Sequence, residues 1–401
     1  MNCTHGDGNE ISIDGLQLMF PGTGLALVTA EWIRGIHQMK PLAPLTVYIP
    51  DIVDLREYDL PERGIDWMRI AKPTAHTDYL FRFVWGRSVV ACKKKRRWSG
   101  SHLIPYLYNY GRLRANVVLI PDLVYRLFPD YGGHDPKLPG LRLRGRLPFR
   151  PIARRLEEWA ASQAQRLIVY SRFVRDHAAD VFRISVDRFA EVALAAPRWI
   201  TVARQLTEKS GVDPHSLPER FVLYVGGYAE RKNVPMLLRA CGRVYERDAS
   251  FRCVYAGLGE DRIESEAALA HALNALSVRR ATIRVPRVAN YEIKGMYDRC
   301  SFSIYPSHAE GFGLPLVEAG MRARLCLCGD NSSMREIQRN PRFRINSDSE
   351  DEWVSRILHY WQHPLESEAA GRECKTMASR YSWEASTRKL LEVLLPRGEQ
   401  C

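Results

Sequence analysis

The chain has 401 residues, 46% of them apolar, and a formal net charge of +12. That is material for two cores of ordinary domain size, and it excludes a disordered chain. No run approaches the roughly 20 apolar residues that span a bilayer, and the polar start, MNCTHGDGNEISIDG, lacks the basic flank and apolar centre of a secretory signal. A cytoplasmic protein is expected.

In chain order, Leu16 to Phe20 is a short apolar stretch followed by Pro21-Gly22-Thr23-Gly24, and Leu25 to Ile36 carries Leu25, Val28, Trp32 and Ile36 at helical spacing. Together they read as a strand, a glycine loop and a helix. Leu45 to Ile49, Val117 to Ile120 and Leu167 to Tyr170 are further apolar runs of strand length. A helix is expected over Ile152 to Arg166, with Leu156, Trp159 and Ala160 on its apolar stripe. Ser171, at the start of the next helix, suits an N-cap. The basic excess is clustered: Lys93-Lys94-Lys95-Arg96-Arg97 is one run, and Lys137 to Arg155 carries seven basic residues and no acidic one. Each reads either as a solvated face or as an anion-binding surface.

Periodicity fades between Ala195 and Pro218, where prolines and Gly211 accumulate, and the domain boundary is expected there. The divisions are 1–200, 201–380 and a terminal helical segment, 381–401. After the boundary, Phe221 to Val225 is an apolar strand leading into Gly226-Gly227, then Arg231, Lys232 and Asn233, with Pro235 opening a helix. Two cations on a loop at the carboxyl end of a strand lie where doubly wound sheets bind ligands. Phe251 to Ala256 and Ile283 to Val288 supply further strand and loop, and Asn290 is expected to cap the helix Tyr291 to Arg299. The block SFSIYPSHAEGFGLPLVEAG then gives a strand, Phe302 to Tyr305, a glycine loop, and a helix from Pro315. Two carboxylates, Glu310 and Glu318, bracket that loop at a spacing of E-x7-E. Free N–H groups at a helix start favour an anion, and carboxylates accept hydrogen bonds from vicinal hydroxyls. Nine cysteines are scattered without a metal-binding spacing. Cys326 and Cys328, on one face of a short strand, read as buried apolar side chains.

The segments YPSHAEGFGLPLVEAG and VGGYAERKN resemble the signature of retaining, nucleotide-sugar-dependent glycosyltransferases of family 4. The resemblance implies an α/β GT-B fold: two Rossmann-like, doubly wound domains facing across a cleft, with the helix after Tyr381-Ser-Trp383-Glu384 crossing back to the N-terminal domain. It implies transfer of a mannose-like or other hexose from a nucleoside diphosphate sugar, GDP-, UDP- or dTDP-linked, to an acceptor hydroxyl with retained configuration. Polysaccharide or lipopolysaccharide assembly is the expected context. No cofactor or metal ion is implied, because Arg231 and Lys232 neutralise the departing diphosphate.

By position, Glu310 with Arg231 and Lys232 forms the catalytic group. Glu318 takes the ribose hydroxyls, and Gly22, Gly24, Gly227, Gly311, Phe312, Gly313, Leu314, Arg287 and Val288 complete the donor side. Asp122, Ser171 and Arg172 belong to the acceptor side. The expected partners are a nucleotide sugar, a glycan or lipid-linked acceptor and an anionic membrane surface at the inner face; nucleic acid is disfavoured, since no zinc-finger, RNA-recognition or helix-turn-helix pattern is found. Two departures stand out. Pro121 occupies the place of a donor-contacting His, and Gly320-Met-Arg-Ala-Arg324 replaces the family's glycine and proline. They leave a catalytically inactive binding or scaffold protein of the same fold as the alternative.

Overall fold

The computed structural model describes residues 10–39, 43–72, 78–95, 100–107, 117–127, 149–201, 217–257, 267–286 and 288–395. The chain forms two compact units. The first comprises Met1–Leu123, Gly132–Leu194 and Trp383–Cys401; the second comprises Val124–Tyr131 and Ala195–Ser382. The division thus falls at Leu194/Ala195 and Ser382/Trp383, close to but not at 200/201 and 380/381.

The first unit holds a parallel sheet of seven strands in the order β3-β2-β1-β4-β5-β6-β7. These are β1 Ile11–Asp14, β2 Leu45–Pro50, β3 Asp66–Ile70, β4 Ser101–Ile104, β5 Val117–Ile120, β6 Arg166–Val169 and β7 Phe189–Glu191. Parallel strands are covered on both faces, so their apolar runs are continuous; β5 and most of β6 show this, buried along VVLI and LIV. The core gathers Tyr48, Trp85, Val89, Ile104 and Val118. The helix Gly24–Met39 meets the terminal helix Trp383–Leu394 within this unit: Trp32 Nε1 donates to Ser386 Oγ at 3.0 Å. Leu390 and Leu394 are buried on that helix.

Several local expectations are corrected. The first strand is Ile11–Asp14, not Leu16 to Phe20. Its alternation of Ile with Ser and Asp hid it among polar residues, whereas Leu16–Met19 curls into a 3-10 turn because the Asp14 carboxylate accepts the Leu16 N–H at 2.9 Å. The helix expected to run to Arg166 spans Phe149–Gln163, since Arg166 already belongs to β6. On it Ala160 is buried, but Trp159 is exposed. Lys93 does not join a solvated basic face. It is 4% exposed, and burial pushes its ammonium down to about 6 beside Asp14 and Glu10. Arg96, Arg97 and residues 137–148 lie outside the described residues.

The second unit repeats the plan with six parallel strands in the order β10-β9-β8-β11-β12-β13. They are β8 Val222–Val225, β9 Cys253–Ala256, β10 Thr282–Val285, β11 Phe302–Tyr305, β12 Cys326–Gly329 and β13 Arg344–Ile345. Its order reverses between β8 and β11, as the first sheet's does between β1 and β4, and ligands of doubly wound sheets collect beyond the carboxyl ends at such a reversal. The helix Asn290–Arg299 begins one residue earlier than expected, with Ala289 as its N-cap. Asn290 is inside it, and Glu292 Oε2 reaches back to accept the Ala289 N–H at 2.6 Å. Cys326 and Cys328 are buried free thiols. Among the described residues no helix is long and apolar enough to cross a membrane.

Candidate active site

Beyond β8 and β11 the chain makes two loops that bond to each other. After β8, Glu230–Lys232 forms a 3-10 turn and Asn233, in the left-handed region at φ 54°, starts the helix Val234–Arg247 with Pro235 in its first turn. After β11, residues 306–313 lead to the helix Leu314–Met321, where Gly313 at φ 105° makes the entry turn that a side chain would strain. The loops are stitched by His308 N–H to Arg231 C=O at 2.7 Å and by the Arg231 guanidinium to Ala309 C=O at 3.2 Å.

The two halves of the site therefore meet through Arg231. Its guanidinium also pairs with the Glu310 carboxylate, which accepts the Tyr305 hydroxyl at 2.7 Å. Glu310 is 7% exposed. Burial alone would raise its carboxyl, but Arg231 and Lys232, with help from Tyr305, hold it below the usual carboxylate range. Its backbone is fixed from both sides: the Glu310 N–H donates to Ser332 Oγ at 3.0 Å, and Ser333 Oγ donates to Glu310 C=O at 2.7 Å and to Phe312 C=O at 2.9 Å.

Lys232 folds back over the strand end; a Cβ on Gly226 would lie 2.8 Å from its Nζ. Burial lowers the affinity of its ammonium for a proton, while Glu310 and, more weakly, Glu318 oppose that shift. Glu318 is 6% exposed. Burial pushes its carboxyl up to about 7, against the hydroxyl of Tyr297, which donates to Glu318 Oε2 at 3.0 Å, and the charge of Lys232. The two acids thus sit in opposite electrostatic states: Glu310 is held ionised, and Glu318 titrates near neutrality.

Of the residues selected from the sequence, Arg231, Lys232, Glu310 and Glu318 are brought together. Gly227 is open, since a Cβ there would meet only the Gly257 carbonyl, at 3.6 Å. Gly311, Phe312 and Gly313 are buried, Leu314 is half-buried, and Phe312 packs edge-on against Tyr381 with ring centres 5.4 Å apart. Val288 is half-buried after β10, and Arg287 lies outside the described residues. Gly22, Gly24, Asp122, Ser171 and Arg172 fall in the first unit, all past the carboxyl ends of β1, β5 or β6. Gly22, at φ 79°, and Gly24 face open space. Asp122 raises the Tyr170 phenol, second to its burial. Ser171 Oγ accepts the Val174 N–H at 3.3 Å as the N-cap of Arg172–Phe182, and Arg172 is exposed.

Sequence reasoning passed over Tyr297, Tyr305, Ser332 and Ser333. Tyr305 ends the strand entering the site, and its register put it within reach of Glu310. Tyr297 carried no local signal, because its partner is 21 residues away on another helix. The irregular segment after Gly320 has a structural account. The helix ends at Met321, and Ala323 adopts φ 54°. Arg322 bonds the Asp298 carboxylate and the Ile200 carbonyl, the latter at 3.3 Å. Arg324 bonds the Tyr297 carbonyl at 3.0 Å and the Asp298 carbonyl. The two arginines anchor the helix that presents Tyr297 to Glu318.

The sequence of the second unit matches the model of a known family, described as glycosyl transferases group 1, over residues 207–375. The E-x7-E loop and the Arg231-Lys232 turn both lie inside the matched residues. The serotype-specific mannosyltransferase WbdA of Escherichia coli is 26% identical over 238 residues, 58% of this chain and 27% of WbdA. The chain thus spans only about a quarter of that relative's length. The O-antigen chain mannosyltransferase B of Escherichia coli is 24% identical over 293 residues, 71% of each. In fold, the chain resembles the crystal structure of HepE from Anabaena in complex with UDP and glucose, with a TM-score of 0.68 at 12% identity, covering 96% of this chain and 99% of HepE. With two doubly wound sheets of the same strand order, the architecture is the α/β GT-B fold.

Proposed function

We propose that the protein is a retaining, metal-independent hexosyltransferase that moves a mannose-like sugar from a nucleoside diphosphate donor to a glycan or lipid-linked acceptor hydroxyl. The observation that carries this reading is the cluster of Arg231, Lys232, Glu310 and Glu318 at the reversal point of the second sheet. The relatives support the sugar class: two are mannosyltransferases, one of them of an O-antigen chain. HepE, which holds UDP and glucose, supports a nucleotide donor.

In the reaction, the bond between the anomeric carbon and the diphosphate oxygen breaks while the acceptor oxygen bonds the same carbon from the same face. The acceptor proton passes to the departing diphosphate. Charge grows on that diphosphate as the bond breaks, and preplaced cations stabilise this state more than the ground state. Arg231, held by Ala309 and Glu310, and Lys232, over Gly226, supply them without a divalent ion. Glu310, kept ionised, accepts hydroxyls of the donor sugar; Glu318, as its carboxylate, accepts the ribose hydroxyls. Gly227 leaves the backbone accessible between them. The proposal extends to an acceptor presented at the cytoplasmic face of an anionic membrane, on the strength of the basic segment Lys137 to Arg155.

A thermal-shift screen against UDP, GDP, ADP, CMP, dTDP and their sugar conjugates tests the reading, because a ligand that binds the folded state raises its melting temperature. Stabilisation by one nucleoside diphosphate, lost in Glu318→Ala and Lys232→Ala, is expected and identifies the base. A folded protein stabilised by none of them would instead favour a non-catalytic scaffold, as Pro121 would allow. Product analysis by NMR with the matching sugar nucleotide then reads anomeric configuration, and inversion would refute the retaining mechanism.

A further inference from the structure

Three potential metal ligands converge where the helix Glu350–Gln362 hands over to the helix Pro364–Ala378. His359 lies in the last turn of the first helix, His363 is the residue between the helices, and Glu366 lies in the first turn of the second. His359 Nε2 and Glu366 Oε2 are 3.0 Å apart, and one ligand atom from each of the three residues lies within 4.8 Å of the others. His363 Nδ1 is 2.8 Å from the His359 carbonyl oxygen. A carbonyl can only accept, so Nδ1 carries the proton and the lone pair is on Nε2. Metal-bound histidines show the same arrangement, with the nitrogen that does not ligate donating to a backbone carbonyl.

The joint is firmly built. The His363 N–H donates to His359 C=O at 3.0 Å, and the Glu366 and Ser367 N–H groups both donate to His363 C=O at 3.1 Å. The two imidazoles stack with centres 4.6 Å apart. His359 and Glu366 have side chains 43% and 58% exposed, which gives an ion access from solvent.

We propose that His359, His363 and Glu366 form a site for one divalent ion of the zinc class, with the fourth coordination position open to solvent. Two imidazoles and one carboxylate match the ligand preferences of zinc and its neighbours, whereas calcium and magnesium take oxygen-only sets. Metal–ligand bonds of about 2.0–2.2 Å put tetrahedral ligand atoms roughly 3.3 Å from one another. The His359–Glu366 pair is already near that spacing, and side-chain rotation brings in His363. As the ion takes His359 Nε2, the ring proton there moves to Nδ1. The bound ion clips the end of one helix to the start of the next. None of the residues assigned to donor binding takes part, so the inference stands whether or not the chain transfers sugar.

The test uses the full chain, stripped with a chelator, dialysed, and titrated calorimetrically with zinc chloride alone. One saturable equivalent is expected, with affinity at least tenfold weaker in His359→Ala and in His363→Ala. Zinc should raise the melting temperature of the parent protein but not of the double variant His359→Ala/His363→Ala. Cobalt(II) in the same site should give the visible bands of tetrahedral nitrogen and oxygen ligation without thiolate charge transfer. Absence of a saturable equivalent would overturn the proposal. So would zinc binding of unchanged affinity in the double variant, or a cobalt spectrum dominated by thiolate, either of which would assign the metal to cysteines.

Discussion

The two units share a strand order and a reversal point, yet they use the carboxylate there in opposite ways. In the first, Asp14 ends β1 and is sealed: it accepts the Leu16 N–H, the Trp85 indole at 3.0 Å and the Tyr106 hydroxyl at 3.0 Å. Burial pushes its carboxyl up to about 6 against those hydrogen bonds and the neighbouring Lys93. In the same core, burial and Lys93 push His102 well down, and its Nδ1 lies 2.8 Å from Ser12 Oγ. In the second, Glu310 faces cations, and the Arg231 side chain is 28% exposed. A buried charge closed off by aromatic donors serves packing and specificity. The same kind of charge beside accessible cations can exchange partners with a ligand. The difference lies in what surrounds the acid, not in the sheet.

The sharpest way to break the comparison is Asp14→Ala. It removes the acceptor of three donors and takes from the buried Lys93 the more strongly acting of its two opposing charges, which should cost about 3–5 kcal/mol of stability, read from urea unfolding. Lys93→Met, which takes the cation away from the buried Asp14 carboxylate but leaves its three hydrogen-bond donors, should also destabilise the fold, by less, in the same assay. If Asp14→Ala proved harmless, the first unit would not depend on a sealed acid. In the second unit Arg231→Ala should instead leave the fold largely intact and lower sugar transfer about 10²–10³-fold in kcat, as expected for losing one preorganised group at a developing charge.

Glu318 sharpens the contrast through pH. Its carboxyl rises from 4.5 to about 7 on folding, so the unfolded chain releases this proton first. Above pH 4.5 the group therefore costs stability, and the cost grows until about pH 7. Glu318→Gln should remove that fall and flatten the stability profile between those values, by about 3 kcal/mol at its upper end. Nucleotide affinity should move the other way in the parent protein, weakening as pH drops through about 7 and the ribose loses its carboxylate acceptor. The smallest expected effect is that of Tyr297→Phe, about 1 kcal/mol for one lost hydrogen bond, with the pH midpoint of nucleotide binding displaced upward because a donor to the ionised Glu318 is gone. An unmoved midpoint would mean that Tyr297 only packs.

The sequence by itself determined the strands whose apolar runs are continuous, such as Val117–Ile120 and Phe302–Tyr305, because strands covered on both faces leave a local composition signal. It also marked the turns that carry Arg231, Lys232, Glu310 and Glu318, since glycines and prolines bound those loops at short range. Ile11–Asp14 and the edge strand Asp66–Ile70 escaped notice because their polar residues are satisfied or exposed only in the folded sheet. Only the tertiary structure decided that Lys93 turns inward, that Tyr297 and Tyr305 each serve one of the two acids, and that Arg322 and Arg324 brace the helix carrying Tyr297. Each of these depends on a partner distant in sequence, and hydrogen bonding and desolvation act through space, where neither spacing nor composition leaves a trace.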